Sequence, residues 1–514
     1  MASTTRRDLL KSLGIAGTAV LLGVHARRGL AFEKAPAASP PHASAPGAAP
    51  AGERTGKAGV AVVKRVDAFG SSGSSALGAY AEVVRRMRAL PSSDSRNWLN
   101  FADIHKNFCP HGNWYFLPWH RAYLMALEQV GRQLLGNANF ALPYWDWTKN
   151  GAMPPQFFDR NSALFNPTRE LKAGESLCDR LSGPDCKAYY GPDMVREVVN
   201  ARPFQNFGST MPQGQNSTDT RWQRERGSKD RLEYGPHDNT HGLIGGEMGS
   251  VPTSARDPVF YLHHANIDRF WSAWSGCGGR AESDSRWRDF KFVKNFPTAD
   301  GTSRSDFVVS SLIDTTLLGY EYDDLRSLTD FCLKTSEVQR AVQYRSLVVA
   351  EYKTAQTVRL DRISEAQLKL SRKLSISPKA VGADAAASEG NEGPRIFAIL
   401  RGVTFPRATG QTVRVFVDRA NPSASAKADD GGYVTSFGFF GAHGDHAGHG
   451  DTMDLRIDVT EALSKLAADG RLQPDRIRIQ LSSAAYAGEK VDPEASQFHY
   501  SSIELEEQTA VHSK

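Results

Sequence analysis

The sequence is short of the features that settle a class by composition alone. Cysteine is scarce, with only Cys109, Cys178, Cys186, Cys277 and Cys332 among 514 residues. So few exclude a fold stapled by disulfides, although Cys178 and Cys186 are near enough in sequence to close a local loop, and the odd count leaves one thiol over. Long apolar runs are missing as well. The one near the N-terminus, in TTRRDLLKSLGIAGTAVLLGV, is too short and too poorly flanked to span a bilayer. No repeat of solenoid length occurs. A strong charge of one sign is also lacking. The formal net charge is +5, but residues 1–31 hold five basic residues (Arg6, Arg7, Lys11, Arg27, Arg28) against one acid (Asp8), so the rest of the chain carries only +1. That balance gives no electrostatic case for nucleic acid or a membrane surface as partner. What remains is ordinary globular material, 40 % apolar and 10 % aromatic, and long enough for two domains or more.

The organisation follows from texture. Paired arginines before Asp-Leu-Leu-Lys and a short apolar run resemble a twin-arginine export signal over residues 1–31, which places the protein in the periplasm or outside the cell. Residues 32–58 form a Pro/Ala-rich linker. From 59 to 338 helical periodicity dominates, as in SALGAYAEVVRRMRAL and RAYLMALEQVGRQLLG, and this stretch reads as one mainly helical domain. Residues 339–394 read as a polar connector and linker with little to bury. From 395 to 507, RIFAILRGV, TVRVFVD, DLRIDVT and RIRIQLS alternate as strands do, and predict a small β-rich domain.

Histidines carry the chemistry. His105, His111 and His120 fall close together, Cys109 among them. In the second helical segment Leu124, Leu127 and Leu134 make one apolar stripe, and His120 lies on its line one turn earlier, so it faces inward. A second group holds His237 and His241, four apart and therefore on one helical face, then the adjacent pair His263 and His264. Any one of these is more often hydrogen-bonded core than ligand. Together they form two all-imidazole clusters, without the thiolates of structural zinc or the oxygens that magnesium and calcium want, and imidazole suits copper in both oxidation states. Two clusters suggest two metals side by side.

The segments FLPWHRAYL, LPYWDWT, PHDNTH and DPVFYLHHANIDRFW, in this order and at these spacings, resemble the paired copper signatures of the type 3 copper proteins, the tyrosinases, catechol oxidases and hemocyanins. The resemblance runs from about Asn97 to Tyr322, where LGYEYDDL is similar to the family's closing Tyr-x-Tyr stretch. It implies a mainly α catalytic domain, a four-helix bundle around a dicopper centre, with His105, His111 and His120 on one copper and His237, His241 and His264 on the other. His263 then stands behind the ligands; Phe260, His264, Ile267 and Trp271 share one helical face, in keeping with that choice. The implied chemistry is oxidation of o-diphenols to o-quinones with dioxygen as co-substrate, and in tyrosinases ortho-hydroxylation of monophenols as well. An oxygen carrier like hemocyanin would use the same six histidines without turnover.

The resemblance also assigns roles around the metals. Cys109, in the Cys-x-His arrangement of fungal members, implies a thioether to His111. Glu233 matches the glutamate that holds a water near the copper. Asp238 stands where tyrosinases carry an asparagine that helps polarise this water; a carboxylate there either serves the same end or is tied up in a salt bridge, and as an acid at a helix start it also suits the dipole. Val251, thirteen residues before His264, replaces a phenylalanine common in plant catechol oxidases, and Gly242 further lightens the entrance. The C-terminal segments resemble the shielding domain of plant polyphenol oxidases, which makes this a bacterial member with a plant-like C-terminal domain. Within it SFGFFGAHGD, through Phe437, Phe439 or Phe440, is the expected plug over the site, and a processing protease cutting before Arg395 the expected switch. The neighbouring His443, His446 and His449 either pass copper to the site or are merely solvated. The partners expected are therefore phenolic and catecholic small molecules and dioxygen.

Overall fold

The computed structural model describes residues 62–333, 342–376, 393–408, 410–420, 432–440 and 452–512. The export signal, the Pro/Ala-rich linker and His443, His446 and His449 lie outside the described residues. Among the described residues, no helix is long and apolar enough to cross a membrane.

The first half of the chain is built from α1 (Gly73–Ala89), α2 (Trp98–Phe108), α3 (Phe116–Leu135), α4 (Gly183–Tyr190), α5 (Pro192–Asn200), α6 (Asp238–Ile244), α7 (Val251–Ser254) and α8 (Val259–Gly276). Helices α2, α3, α6 and α8 form the bundle that carries histidines. Helix α3 buries nearly every residue from Phe116 to Gly131 and stops at Gly136, whose φ of +63° lets its N–H turn back to the last carbonyls. Short strand pairs brace the rim: β1 (Val63–Arg65) is parallel to β4 (Tyr320–Tyr322), and β2 (Lys291–Pro297) is antiparallel to β3 (Arg304–Val308).

The Tyr-x-Tyr stretch closes this half through one buried carboxylate. Asp268, on α8, accepts from Tyr320 Oη at 2.7 Å, Tyr322 Oη at 2.6 Å, Arg65 Nη1 at 2.9 Å and Arg121 Nε at 2.5 Å. Arg65 also pairs with Glu128 at 2.8 Å. Two arginines and two phenols around the one anion keep it ionised and hold its carboxyl below the usual range despite complete burial. The network ties β1, α3, α8 and β4 together.

Two disulfides are present. Cys178–Cys186 closes the local loop, and Cys277–Cys332 joins the end of α8 to the end of the helical half, a pairing that spacing did not indicate. Cys109 is the thiol left over.

The C-terminal half contains β5 (Val342–Tyr352), β6 (Gln356–Val358), β7 (Ile363–Lys369), β8 (Arg395–Thr404), β9 (Gln411–Val417), β10 (Tyr433–Phe437), β11 (Thr452–Asp458), β12 (Arg476–Ala485), β13 (Phe498–Tyr500) and β14 (Ser502–His512). They form sheets in the orders β10-β9-β12-β7 and β11-β8-β14-β5, with β6 paired to β13. This corrects the expectation of a polar connector with little to bury over 339–394, for residues 342–369. Strand β5 pairs with β14 along its length and β7 with β12, so this stretch supplies edge strands to both sheets. Its polar composition misled because Arg345 to Val348 are exposed on both faces, as edge positions often are.

The two halves are packed tightly together. Every residue of β9 is buried, since one face meets the sandwich core and the other the helical half. There Arg414 forms a paired contact with Asp185 at 2.8 and 2.6 Å, and Tyr189 Oη meets Thr412 Oγ1. Lys229 adds a backbone bridge, donating to Asp454 O at 2.9 Å and accepting from Arg456 N at 3.0 Å.

Candidate metal centre

Six imidazoles converge as two triangles. His105 on α2, His111 in the loop beyond it and His120 on α3 have ring centroids 5.3 to 5.5 Å apart. His237, His241 and His264 have centroids 4.7 to 5.6 Å apart. The triangles face each other, with His120 stacked on His264 at 4.2 Å and His111 5.8 Å from His237. His237 sits just before α6, at the end of a wide turn over Glu233–His237 that contains Gly235 and Pro236, and not inside a regular helix.

The backbone fixes which nitrogen each ring offers. Nδ1 of His105 meets Val251 O at 2.9 Å, that of His120 meets Phe116 O at 2.8 Å, and that of His241 meets Met248 O at 2.9 Å. A carbonyl only accepts, so these Nδ1 atoms carry the hydrogen and each Nε2 presents a lone pair. Nε2 of His241 lies 3.4 Å from Nε2 of His264, and the Nε2 atoms of His120 and His237 have no protein partner among the described residues. Burial pushes His120 down to about 3, and burial with neighbouring imidazoles pushes His237, His241 and His264 well below their ordinary value. Neutral rings with converging lone pairs fit a pair of copper ions.

His263 is close to the second triangle too, 4.9 Å from His241 and 5.3 Å from His237. It reaches toward Trp147, 6.4 Å away, whereas His264 also touches the first triangle through His120 and His105. Cys109 is buried with Sγ 3.5 Å from His111 Nδ1, and burial pushes its thiol up.

Two carboxylates border the centre. Glu233 is completely buried; Oε1 accepts from Gly112 N at 2.6 Å and Oε2 from Ser209 Oγ at 2.6 Å. Gly112 adopts φ +69°, a left-handed turn that suits glycine and aims its N–H at the carboxylate. Asp238 has both oxygens engaged, Oδ1 by His237 Nδ1 at 2.8 Å and Oδ2 by Lys229 Nζ at 2.6 Å. Lys229 Nζ also lies 3.9 Å from Glu233 Oε1. Burial raises both carboxyls, and the Lys229 ammonium offsets part of that rise. Sequence reasoning named neither Lys229 nor Ser209. Their role depends on a fold-back from positions with no motif of their own.

Phe440 covers the imidazoles. Its ring stacks on His241 at 3.7 Å and stands edge-on to His111 at 5.4 Å and His237 at 5.5 Å. Phe437 and Phe439 pack instead into the C-terminal core, Phe439 5.0 Å from Phe498. Gly242 leaves a gap that the C-terminal half fills: a Cβ there would lie 3.2 Å from Tyr486 Oη and 3.8 Å from Phe439 O. Val251 contributes its carbonyl to His105 while its side chain is buried in the core.

Residues 95–276, which hold all of these histidines, match the family model described as the common central domain of tyrosinase. The chain therefore carries a tyrosinase central domain. Residues 342–492 match a second model, described only as a domain of unknown function. A tyrosinase from Hahella sp. (strain CCB-MM4) is 29 % identical over 392 residues, 73 % of this chain and 79 % of that protein. The chloroplastic (+)-larreatricin hydroxylase of Larrea tridentata is 26 % identical over 432 residues, 76 % of this chain and 70 % of that protein. Among solved structures, latent apple tyrosinase is similar with a TM-score of 0.62 at 20 % identity, covering 88 % of this chain and 98 % of that one. Latent aurone synthase gives 0.65 at 19 %, covering 88 % and 90 %. Both share the helical core followed by a β-rich region.

Proposed function

We propose that this protein is an exported, copper-dependent phenol oxidase with tyrosinase activity, held latent by its own C-terminal half. The observation that carries the reading is the pair of facing imidazole triangles in which backbone carbonyls or a carboxylate hold Nδ1 of His105, His120, His237 and His241 and leave Nε2 for a metal. His105, His111 and His120 would hold one copper and His237, His241 and His264 the other; bound, the pair supplies dioxygen binding and the redox chemistry that turns o-diphenols into o-quinones. His263 supports the ligands from behind, and a Cys109 thioether would fix the His111 ring.

The chain's own residues do the rest. Glu233, raised by burial and beside the backbone of the His111 loop, is placed to orient water and to take the proton that a phenol loses on approaching the metals. Asp238 holds the His237 ring, and Lys229 neutralises it. Phe440 occupies the face of His241 where a phenol ring would stack. A catechol oxidase without monophenol activity is the second reading, favoured by Asp238 having no oxygen to spare for polarising a water. The latency suits a protein that leaves the cell by the twin-arginine route and meets its protease outside.

The test is oxygen uptake by copper-loaded protein whose C-terminal half has been released by a cut between Leu333 and Val342. Uptake with L-tyrosine, after a lag, and with L-dopa supports tyrosinase; uptake with L-dopa alone supports the second reading. No uptake with either, at full copper loading, would rule out the phenol oxidase.

A further inference from the structure

Ser209 is an outlier in both conformation and position. Its φ is +64°, a costly region for a residue with a side chain, and it is completely buried. The conformation puts Oγ between two buried carboxyls, 2.6 Å from Glu233 Oε2 and 3.0 Å from Asp230 Oδ2. The Asp230 N–H donates to the same Oγ at 3.2 Å, and Asp230 Oδ1 is occupied by the N–H groups of Leu232 at 2.6 Å and Glu233 at 3.4 Å. A hydroxyl carries one hydrogen. Both carboxyl contacts are hydrogen bonds only when one of the two acids brings a second. Burial and the neighbouring Glu233 charge push Asp230 up to about 8, in keeping with a retained proton.

Asp230 also lines a cavity between the two halves of the protein, together with Glu197, Asn206, Arg231, Arg456 and Asp458. The cavity, about 20 Å³, has room for a single water and polar groups enough to bind it. The line from Glu233 through Ser209 to Asp230 therefore ends at a residue that lines this cavity.

We propose that Ser209 and Asp230 form a proton relay that drains Glu233 into the cavity between the two halves. The proposal rests on Glu233 being the group that takes the phenol's proton. Asp230 first gives its resting proton to the water of the cavity and becomes a carboxylate; with the phenol's proton on Glu233, the Glu233 Oε2–H bond then breaks as Ser209 Oγ gains the hydrogen, and Ser209 passes its own hydrogen to Asp230 Oδ2. Glu233 ends as a carboxylate and Asp230 as an acid, with atoms and charge balanced. Asp230 is thereby back in its protonated resting state, and Ser209 returns to its own by rotating its hydroxyl. Arg456 and Asp458 belong to the C-terminal half, so that half caps the proton outlet as well as the substrate entrance. Ser209 and Asp230 are positioning residues, since neither touches the reacting atoms.

The test uses the full chain with the Phe440→Ala substitution, alone and combined with Ser209→Gly or Asp230→Asn. Glycine is at ease at φ +64° and asparagine keeps the shape of the acid, so neither exchange strains the fold. Infrared spectra of the copper-free proteins at neutral pH should show a protonated-carboxyl C=O band that moves in both combined variants and shifts in deuterium oxide. No such band, or one indifferent to both substitutions, overturns the shared proton. In copper-loaded protein, both combined variants should lose L-tyrosine turnover by on the order of tenfold to a hundredfold and show a larger solvent deuterium isotope effect. Unchanged turnover with an unchanged isotope effect overturns the relay. If the Phe440→Ala parent itself oxidises neither L-tyrosine nor L-dopa, the phenol oxidase reading has failed, and the infrared band still decides whether Asp230 and Glu233 share a proton through Ser209.

Discussion

At the scale of residues, the ligand set and its supports make separable demands. His264→Ala should lose about half of the bound copper and all oxidase activity, whereas His263→Ala should keep most of its copper; metal analysis of the purified proteins reads the difference, and the reverse pattern would exchange the two roles. Lys229 is a different matter, because it is the buried cation that faces both Asp238 and Glu233. Lys229→Met leaves two buried carboxylates without their counter-charge, a loss of about 3 kcal/mol by analogy with other broken buried pairs. Denaturant unfolding would measure it. Phe440→Ala in the full chain should raise L-dopa turnover by about tenfold or more, since a site closed most of the time becomes competent more often. Turnover equal to wild type would mean that Phe440 is not the barrier.

At the scale of elements, the strands β5 to β7 change what a protease can achieve. A nick within residues 377–392 severs the chain but leaves β5 hydrogen-bonded to β14 and β7 to β12, so the C-terminal half stays docked. The nicked protein should therefore run as one species in non-denaturing gel filtration and remain latent. A cut within 334–341 leaves no covalent tie, and dilution or mild denaturant should then release activity in step with the C-terminal fragment. Full activation by the nick alone would show that the pairing of β5 and β7 does not hold the two halves together.

At the scale of the whole molecule, burying Asp230 couples stability to pH. Its native value is raised to about 8 by desolvation and by Glu233. The native state holds a proton there that the unfolded chain has already released above about pH 4. That contribution is complete at low pH and is lost as pH rises through 8. Asp230→Asn removes it, so the stability of the wild type relative to this variant should fall between about pH 4 and pH 8. Thermal unfolding of both proteins across that window measures the slope, and parallel profiles would place the proton elsewhere.

The sequence by itself determined that two groups of imidazoles exist, because one residue type recurs at spacings that helices and short loops fix locally. The convergence of His105, His111, His120, His237, His241 and His264 was legible in their motifs and in the resemblance these carry, as was the Tyr-x-Tyr closure onto the last bundle helix. The helical half and the alternating strands after Arg395 were legible through their periods of 3.6 and 2. Tertiary structure alone decided what comes from far along the chain. Lys229 meets Asp238 because the Glu233–His237 turn folds the chain back, and Ser209 joins Asp230 and Glu233 because a left-handed backbone turns its hydroxyl inward. Phe440, and not Phe437 or Phe439, reaches His241 because the chain runs on three residues beyond the end of β10 at Phe437, and Phe439 turns back into the C-terminal core. The Cys277–Cys332 bond and the strands within 342–369 were hidden in the same way: a partner more than fifty residues distant leaves no local pattern.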